Sequence, residues 1–210
     1  MSTSVRLAEE FCSINGEGHL TGVPTYFVRF AGCSVSQCPL HPYRGGNCDT
    51  DWQYQMSEDV DDIANRAASK AHWICITGGE PADQPREMDA LIAAAHERKM
   101  RVTVQTSGTK ELNAEIIDWL VVSPKCRIDK LVVKAGHELK LVNHKEIAFD
   151  FGALRGWHVL TNFVQYYLQP EWKKNGISNL AETARTVERC AEIGLPYKLS
   201  MQIHKYWGGK

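Results

Sequence analysis

From residue 72 onward, compact apolar runs alternate with amphipathic ones, and glycine, serine, threonine or proline gathers after each apolar run. That order constrains the fold more than any composition figure, because repeated βαβ units force a parallel sheet with right-handed crossovers. Residues 72–76 suit a strand buried on both faces, ending at Thr77-Gly78-Gly79-Glu80-Pro81. Residues 86–99 put Met88, Leu91, Ile92 and Ala95 on one helical face. Strands are predicted at 101–106, 119–122, 138–142, 159–168 and 197–202, with helices at 111–118 and 179–193 and another within 143–157. Ser107-Gly108-Thr109, Ser123-Pro124-Lys125 and Gln169-Pro170-Glu171 follow three of these strands, whereas residues 126–137 fit no period.

Upstream, residues 7–12 read as a short first strand and Ser13 to Gly18 as a glycine-punctuated turn where backbone can approach a ligand. Residues 25–30 form the next strand, in which Arg29 either grips a carboxylate or faces solvent. Ser57 is a suitable N-cap for a helix through Ala71, with Val60, Ile63, Ala64, Ala67 and Ala68 facing inward. About six parallel strands with fewer full helices than strands predict an α/β fold, an incomplete (β/α)6-type barrel. No linker interrupts it, so residues 1–210 are expected to be one domain whose working face is the C-terminal ends of the strands.

The loop at about 31–52 holds Cys33, Cys38 and Cys48, three of seven cysteines. The N-terminus lacks a basic and apolar leader, and the cysteine count is odd, so a cytoplasmic protein with thiols rather than disulfides is expected. A net charge of −1 argues against charge-driven binding to nucleic acid, and no apolar run is long enough to span a membrane. Three thiolates leave a cubane or tetrahedral site one ligand short. The C-x4-C-x9-C spacing matches neither standard two-pair zinc spacing nor a ferredoxin run, and leaves an iron–sulfur cluster with one open iron, zinc completed by His41, and plain free thiols as equal alternatives. Cys12, Cys75, Cys126 and Cys190 lie elsewhere and are expected to be structural.

Three stretches, Phe11-Cys12-Ser13-Ile14-Asn15-Gly16-Glu17-Gly18, Phe27-Val28-Arg29-Phe30-Ala31-Gly32-Cys33 and Cys48-Asp49-Thr50, resemble the 7-carboxy-7-deazaguanine synthases of the radical S-adenosylmethionine superfamily. The resemblance continues through Thr77–Pro81, Thr106-Ser107-Gly108-Thr109, Ser123-Pro124-Lys125, Glu138-Leu139-Lys140-Leu141-Val142, Gln169-Pro170 and the stretch from Leu199 to Lys205. It implies a 4Fe–4S cluster on Cys33, Cys38 and Cys48 and Mg²⁺ on Thr50. It also implies ring contraction of 6-carboxy-5,6,7,8-tetrahydropterin to 7-carboxy-7-deazaguanine with loss of ammonia, a carbon–nitrogen lyase reaction of queuosine-type 7-deazapurine biosynthesis. Ile14, Asn15, Gly16, Glu17, Arg29, Thr77, His204 and the Lys210 carboxylate are implied to hold the substrate. Asn47, Asp49, Gly79, Ser107, Ser123, Lys125 and Gln169 are implied to hold S-adenosylmethionine. An electron donor such as flavodoxin or ferredoxin and a homodimer are implied as partners. The cluster loop is longer than the family's common C-x3-C-x2-C, Asn15 stands where Gln is usual, and Gln105 replaces a common Glu. A glycyl-radical activase and a non-catalytic zinc module are the alternatives.

Overall fold

Hydrogen bonding ties nine strands into one sheet in the computed structural model, which describes residues 3–36, 38, 48, 50–144, 150–172 and 178–208. In chain order the strands are β1 (Ser4–Ile14), β2 (Pro24–Phe30), β3 (Met56–Asp59), β4 (Trp73–Gly78), β5 (Arg101–Thr106), β6 (Trp119–Val122), β7 (Ala135–Asn143), β8 (Asn162–Pro170) and β9 (Tyr197–Leu199). Their order across the sheet is β3-β1-β2-β4-β5-β6-β7-β8-β9. From β2 to β9 every neighbouring pair is parallel, while β1 runs antiparallel to both β2 and β3. The two ends, β3 and β9, do not pair with each other, so the sheet is an incomplete barrel.

The helices are α1 (Val60–Ala68), α2 (Pro85–Glu97), α3 (Phe151–Leu160), α4 (Leu180–Glu192) and the single turn α5 (His204–Trp207). Strand alternation sorts side chains between two faces. Val28, Ile74, Ile76, Val102, Val104, Leu139, Leu141 and Leu168 point outward into one apolar core with Ile63, Ala64, Leu91, Ile92 and Trp157 of the helices. Each large aliphatic side chain buried there contributes about 1.5–3 kcal/mol. The alternate positions turn into the barrel and are polar: Thr103, Glu138, Lys140 and Gln169 are all buried. An apolar shell around a polar, charged interior is suited to holding a ligand.

Several expected boundaries are corrected. Met56–Asp59 is an edge strand pairing with β1, so the first helix starts only after Asp59, whose side chain accepts from Asp61 N, and it stops at Ala68. Residues 111–118 contain one 3-10 turn, Ala114–Ile116, instead of a helix. Helix α3 runs to Leu160, so the strand expected from residue 159 begins at Asn162 and carries on to Pro170. The last strand stops at Leu199. Residues 126–137, which matched no period, supply the 3-10 turn Ile128–Lys130 and the start of β7.

Candidate active site

At the C-terminal ends of the parallel strands lies a cavity of about 720 Å³. Every described residue assigned a site role from the sequence lines it: Ile14, Asn15, Gly16 and Glu17; Arg29; Cys33, Cys38, Cys48 and Thr50; Thr77 and Gly79; Ser107, Ser123 and Lys125; Gln169 and His204. Asn47, Asp49 and Lys210, like His41, lie outside the described residues.

Register places the substrate-side cation. Arg29 of β2 is paired with Glu9 of β1 on one side and Thr77 of β4 on the other, which brings the three into one row. Arg29 Nε donates to Glu9 Oε1 at 2.9 Å. Two residues earlier, Phe11 and Phe27 are paired and their rings stack at 5.1 Å, giving the cavity an aromatic flank beside the guanidinium.

The cysteine wall is pinned by backbone. Gly32 N donates to Trp52 O at 2.9 Å, and Glu80 N donates to Gly32 O at 3.1 Å. Gly79 has to be glycine for this approach, since a Cβ there would stand 2.1 Å from Gly32 O and 2.6 Å from Cys33 Cβ. Just past Cys33, Ser34 donates its N–H (2.8 Å) and hydroxyl (2.7 Å) to Asp83, which also pairs with Lys110 at 2.5 Å. Burial, reinforced by the charges of Glu80 and Asp83, pushes the Cys33 thiol up to about 11. It is therefore protonated at neutral pH and would release that proton on binding a metal.

Glu80 is fully buried and cross-braces the strand ends. It accepts from Ala82 N (3.1 Å), Thr106 Oγ1 (2.7 Å), Ser107 N (2.9 Å) and the Ser107 hydroxyl. That fixes Ser107 at the rim of β5, while Ser123 N donates to Thr106 O at 2.8 Å and Lys125 Nζ donates to Ser123 Oγ at 2.9 Å.

The Glu17 carboxylate forms another part of the cavity wall. Asn15 Oδ1 accepts from Glu17 N at 3.0 Å, a side-chain-closed turn that aims Glu17 into the cavity. Glu17 Oε2 takes a very short hydrogen bond from Lys140 Nζ, and Oε1 accepts from Gln202 Nε2 at 2.7 Å and Gln169 Nε2 at 3.4 Å. Burial raises the Glu17 carboxyl, but the charge and hydrogen bond of Lys140, with help from Gln202 and His204, win and hold it down at about 2. Ile203 N donates to Gly16 O at 3.0 Å, docking the chain's last turn, and with it His204, against this wall.

Lys140 and Gln202 were not singled out by sequence reasoning, and both line the cavity. The available signal for Lys140 was Glu138-Leu139-Lys140-Leu141, where two opposite charges alternate with leucines in a strand buried on both faces.

Cys33, Cys38 and Cys48 form no disulfide and all line the cavity, and thiols are the soft ligands that iron–sulfur clusters use. Among the described residues no group of three or more His, Cys, Asp or Glu side chains is placed to hold a metal ion. The three cysteines thus supply the thiol donors a cluster takes and line one cavity, without being gathered into a ligand set among the described residues. Cys75, Cys126 and Cys190 are buried and Cys12 is exposed on β1.

No family model matches the chain. Similarity to curated proteins runs from end to end. The 7-carboxy-7-deazaguanine synthase of Caulobacter vibrioides is 35% identical and covers 99% of each chain. Those of Bradyrhizobium diazoefficiens and Bacteroides thetaiotaomicron are 33% and 32% identical, covering 98% and 95% of this chain and 99% and 96% of their own. The crystal structure of QueE from Escherichia coli shares the fold with a TM-score of 0.68 at 21% identity, covering 94% of this chain and 93% of that one.

Proposed function

The chain belongs to the 7-carboxy-7-deazaguanine synthase family, and from that membership we propose how its cavity contracts the ring of 6-carboxy-5,6,7,8-tetrahydropterin to 7-carboxy-7-deazaguanine, releasing ammonia. The observation that carries this reading is that one cavity is lined by three thiols together with the Glu17 carboxylate, its Lys140 partner and Arg29.

Cys33, Cys38 and Cys48 would hold a 4Fe–4S cluster, and Thr50 would offer Mg²⁺ a hard oxygen ligand. When bound, the cluster and S-adenosylmethionine would supply radical hydrogen-abstraction chemistry toward the substrate. Gly79, Ser107, Ser123, Lys125 and Gln169, with Asn47 and Asp49, form the S-adenosylmethionine side.

Arg29 binds the substrate carboxylate, its guanidinium fork having donors beyond the Nε engaged by Glu9. The ring system lies between the Phe11–Phe27 flank and Glu17, with Thr77, the 14–16 turn and His204 around it; the Lys210 carboxylate is assigned to the substrate by the resemblance alone. Because Asn15 Oδ1 is committed to Glu17 N, the contact usually made by Gln falls to the Asn15 amide nitrogen or to backbone. A flavodoxin or ferredoxin delivers the electron to a cytoplasmic homodimer. No helix among the described residues is long and apolar enough to cross a membrane.

Anaerobic incubation with reductant, S-adenosylmethionine, Mg²⁺ and the carboxy-tetrahydropterin is expected to give the deazaguanine, read by mass and ultraviolet spectrum. A cluster-replete sample that yields none overturns the reading. The family match over the whole chain disfavours a glycyl-radical activase or a zinc module.

A further inference from the structure

Three buried charges run through the barrel interior, and the reaction as proposed above uses only one. Period-two alternation turns Glu138 and Lys140 of β7 inward together, at 2% and 3% exposure. Lys140 bonds the Glu17 carboxylate on its cavity side. Glu138 lies on its other side, but its Oε2 is already taken by His19 N (3.1 Å) and Trp119 Nε1 (3.2 Å). The ammonium is therefore balanced from below and aimed from above at one acceptor.

We propose that Lys140 is the positioning residue that holds Glu17 as an ionised, acceptor-only carboxylate, so that Glu17 selects a ligand presenting an N–H donor, the 2-amino group of a pterin. This rests on the pterin reading above. A carboxylate offers about four acceptor sites. Lys140 fills one on Oε2, and Gln202 and, at longer range, Gln169 fill both on Oε1, so one site, on Oε2, is left for a ligand in the cavity. A protonated Glu17 would set an O–H against these donors and present a donor to the ligand. A pteridine with an oxo group at position 2 would set an acceptor against the carboxylate.

Stability alone gives a weak reason for a buried ammonium here, since well-packed apolar residues often replace buried ion pairs at no cost. The charges facing the pair are consistent with one fixed protonation state. Glu17 sees Lys140 and His204; Lys140 sees Glu17, Glu138 and the Cys75 thiol. Burial lowers Lys140, but the two carboxylates outweigh it and hold the ammonium above its ordinary value.

The test compares wild type with Lys140→Met, Lys140→Arg, Glu17→Gln and the double variant Glu17→Gln with Lys140→Met. For Lys140→Met, KM for the carboxy-tetrahydropterin is expected to rise about 10- to 100-fold with kcat within about threefold, the loss of one charge-assisted contact. Its kcat/KM should gain an acidic limb between about pH 5 and 7 that wild type lacks, as an unpaired buried Glu17 titrates. Discrimination against the 2-oxo analogue should shrink, Lys140→Arg should restore part of the KM, and the double variant should match Glu17→Gln alone. Iron content and KM for S-adenosylmethionine should not move. A folded Lys140→Met with wild-type KM and pH profile, or losses that add in the double variant, overturns the proposal. The double variant removes both members of the Glu17–Lys140 pair and leaves Glu138 held by His19 N and Trp119 Nε1, so the comparison with Glu17→Gln survives if Lys140→Met alone does not fold. Anaerobic equilibrium dialysis of the pterin reads the same shift as Kd without turnover. A wild type that binds but makes no product would therefore sink the reaction and leave this inference standing or falling separately.

Discussion

Gly18 and Gly22 both occupy the left-handed region, with φ of 59° and 90°, yet a side chain would meet different surroundings at each. At Gly22 an added Cβ faces open space, so alanine costs only backbone strain, about 1–2 kcal/mol. At Gly18 the same Cβ would stand 2.0 Å from Glu138 Oε1, on a buried carboxylate already fixed by two donors. Gly18→Ala is expected to cost the strain plus about 1–3 kcal/mol of overpacking, and urea unfolding should separate the two variants; equal midpoints would show that Glu138 yields freely. Among the site residues, those in loops and at strand ends were legible from the sequence because glycine, cysteine and hydroxyl residues mark such places. Lys140 was not, because a lysine between leucines reads as an edge position until the sheet shows both faces of β7 covered. What makes Glu17 unusual is likewise a partner 123 residues away, which no local pattern encodes.

Helix α1 carries the same lesson at the scale of an element. Ser57 and Asp59 are both good caps by residue type, and the sequence favours the first because an acidic turn follows it. Pairing decides for the second: Ser57 is opposite Arg6 in the β1–β3 ladder, and Asp59 Oδ1 accepts from Asp61 N at 2.8 Å. Asp59→Ala should cost about 1 kcal/mol, whereas the exposed Ser57→Ala should stay within about 0.5 kcal/mol; thermal melts giving the reverse order would place the helix start at Ser57. The βαβ alternation was legible because strands such as β4 and β6 are nearly unbroken apolar runs. The 111–118 stretch misled for a physical reason. Its crossover needs only one 3-10 turn, and Leu112, Ile116 and Ile117 pack on the core without the amphipathic length of a helix.

Taken whole, the molecule is a barrel whose outward strand positions are apolar and whose inward positions carry charge, so its stability has to depend on pH through the interior. The Glu17 carboxyl is held near 2, below its ordinary value of 4.5. A depressed carboxyl contributes stability that is fully present above 4.5 and is lost as pH falls toward 2. Removing Lys140 reverses the sign. Burial then dominates at Glu17 and lifts its folded value above the unfolded one, so the variant gains relative stability as acid neutralises the stranded carboxylate. Breaking a buried pair costs about 3–5 kcal/mol, and the 16% of side-chain surface that Glu17 keeps toward the cavity argues for the lower end. Denaturant unfolding of Lys140→Met is thus expected to show a deficit of about 3 kcal/mol at neutral pH that narrows toward pH 5. With Glu17→Gln in the same chain the deficit should be smaller at pH 7 and less dependent on pH, because Glu17 no longer titrates and Glu138 keeps its bonds from His19 N and Trp119 Nε1. A Lys140→Met deficit equal at pH 7 and 5 would mean that water reaches Glu17 well enough to solvate its charge, and that the polar interior is a wet channel instead of a set of paired ions.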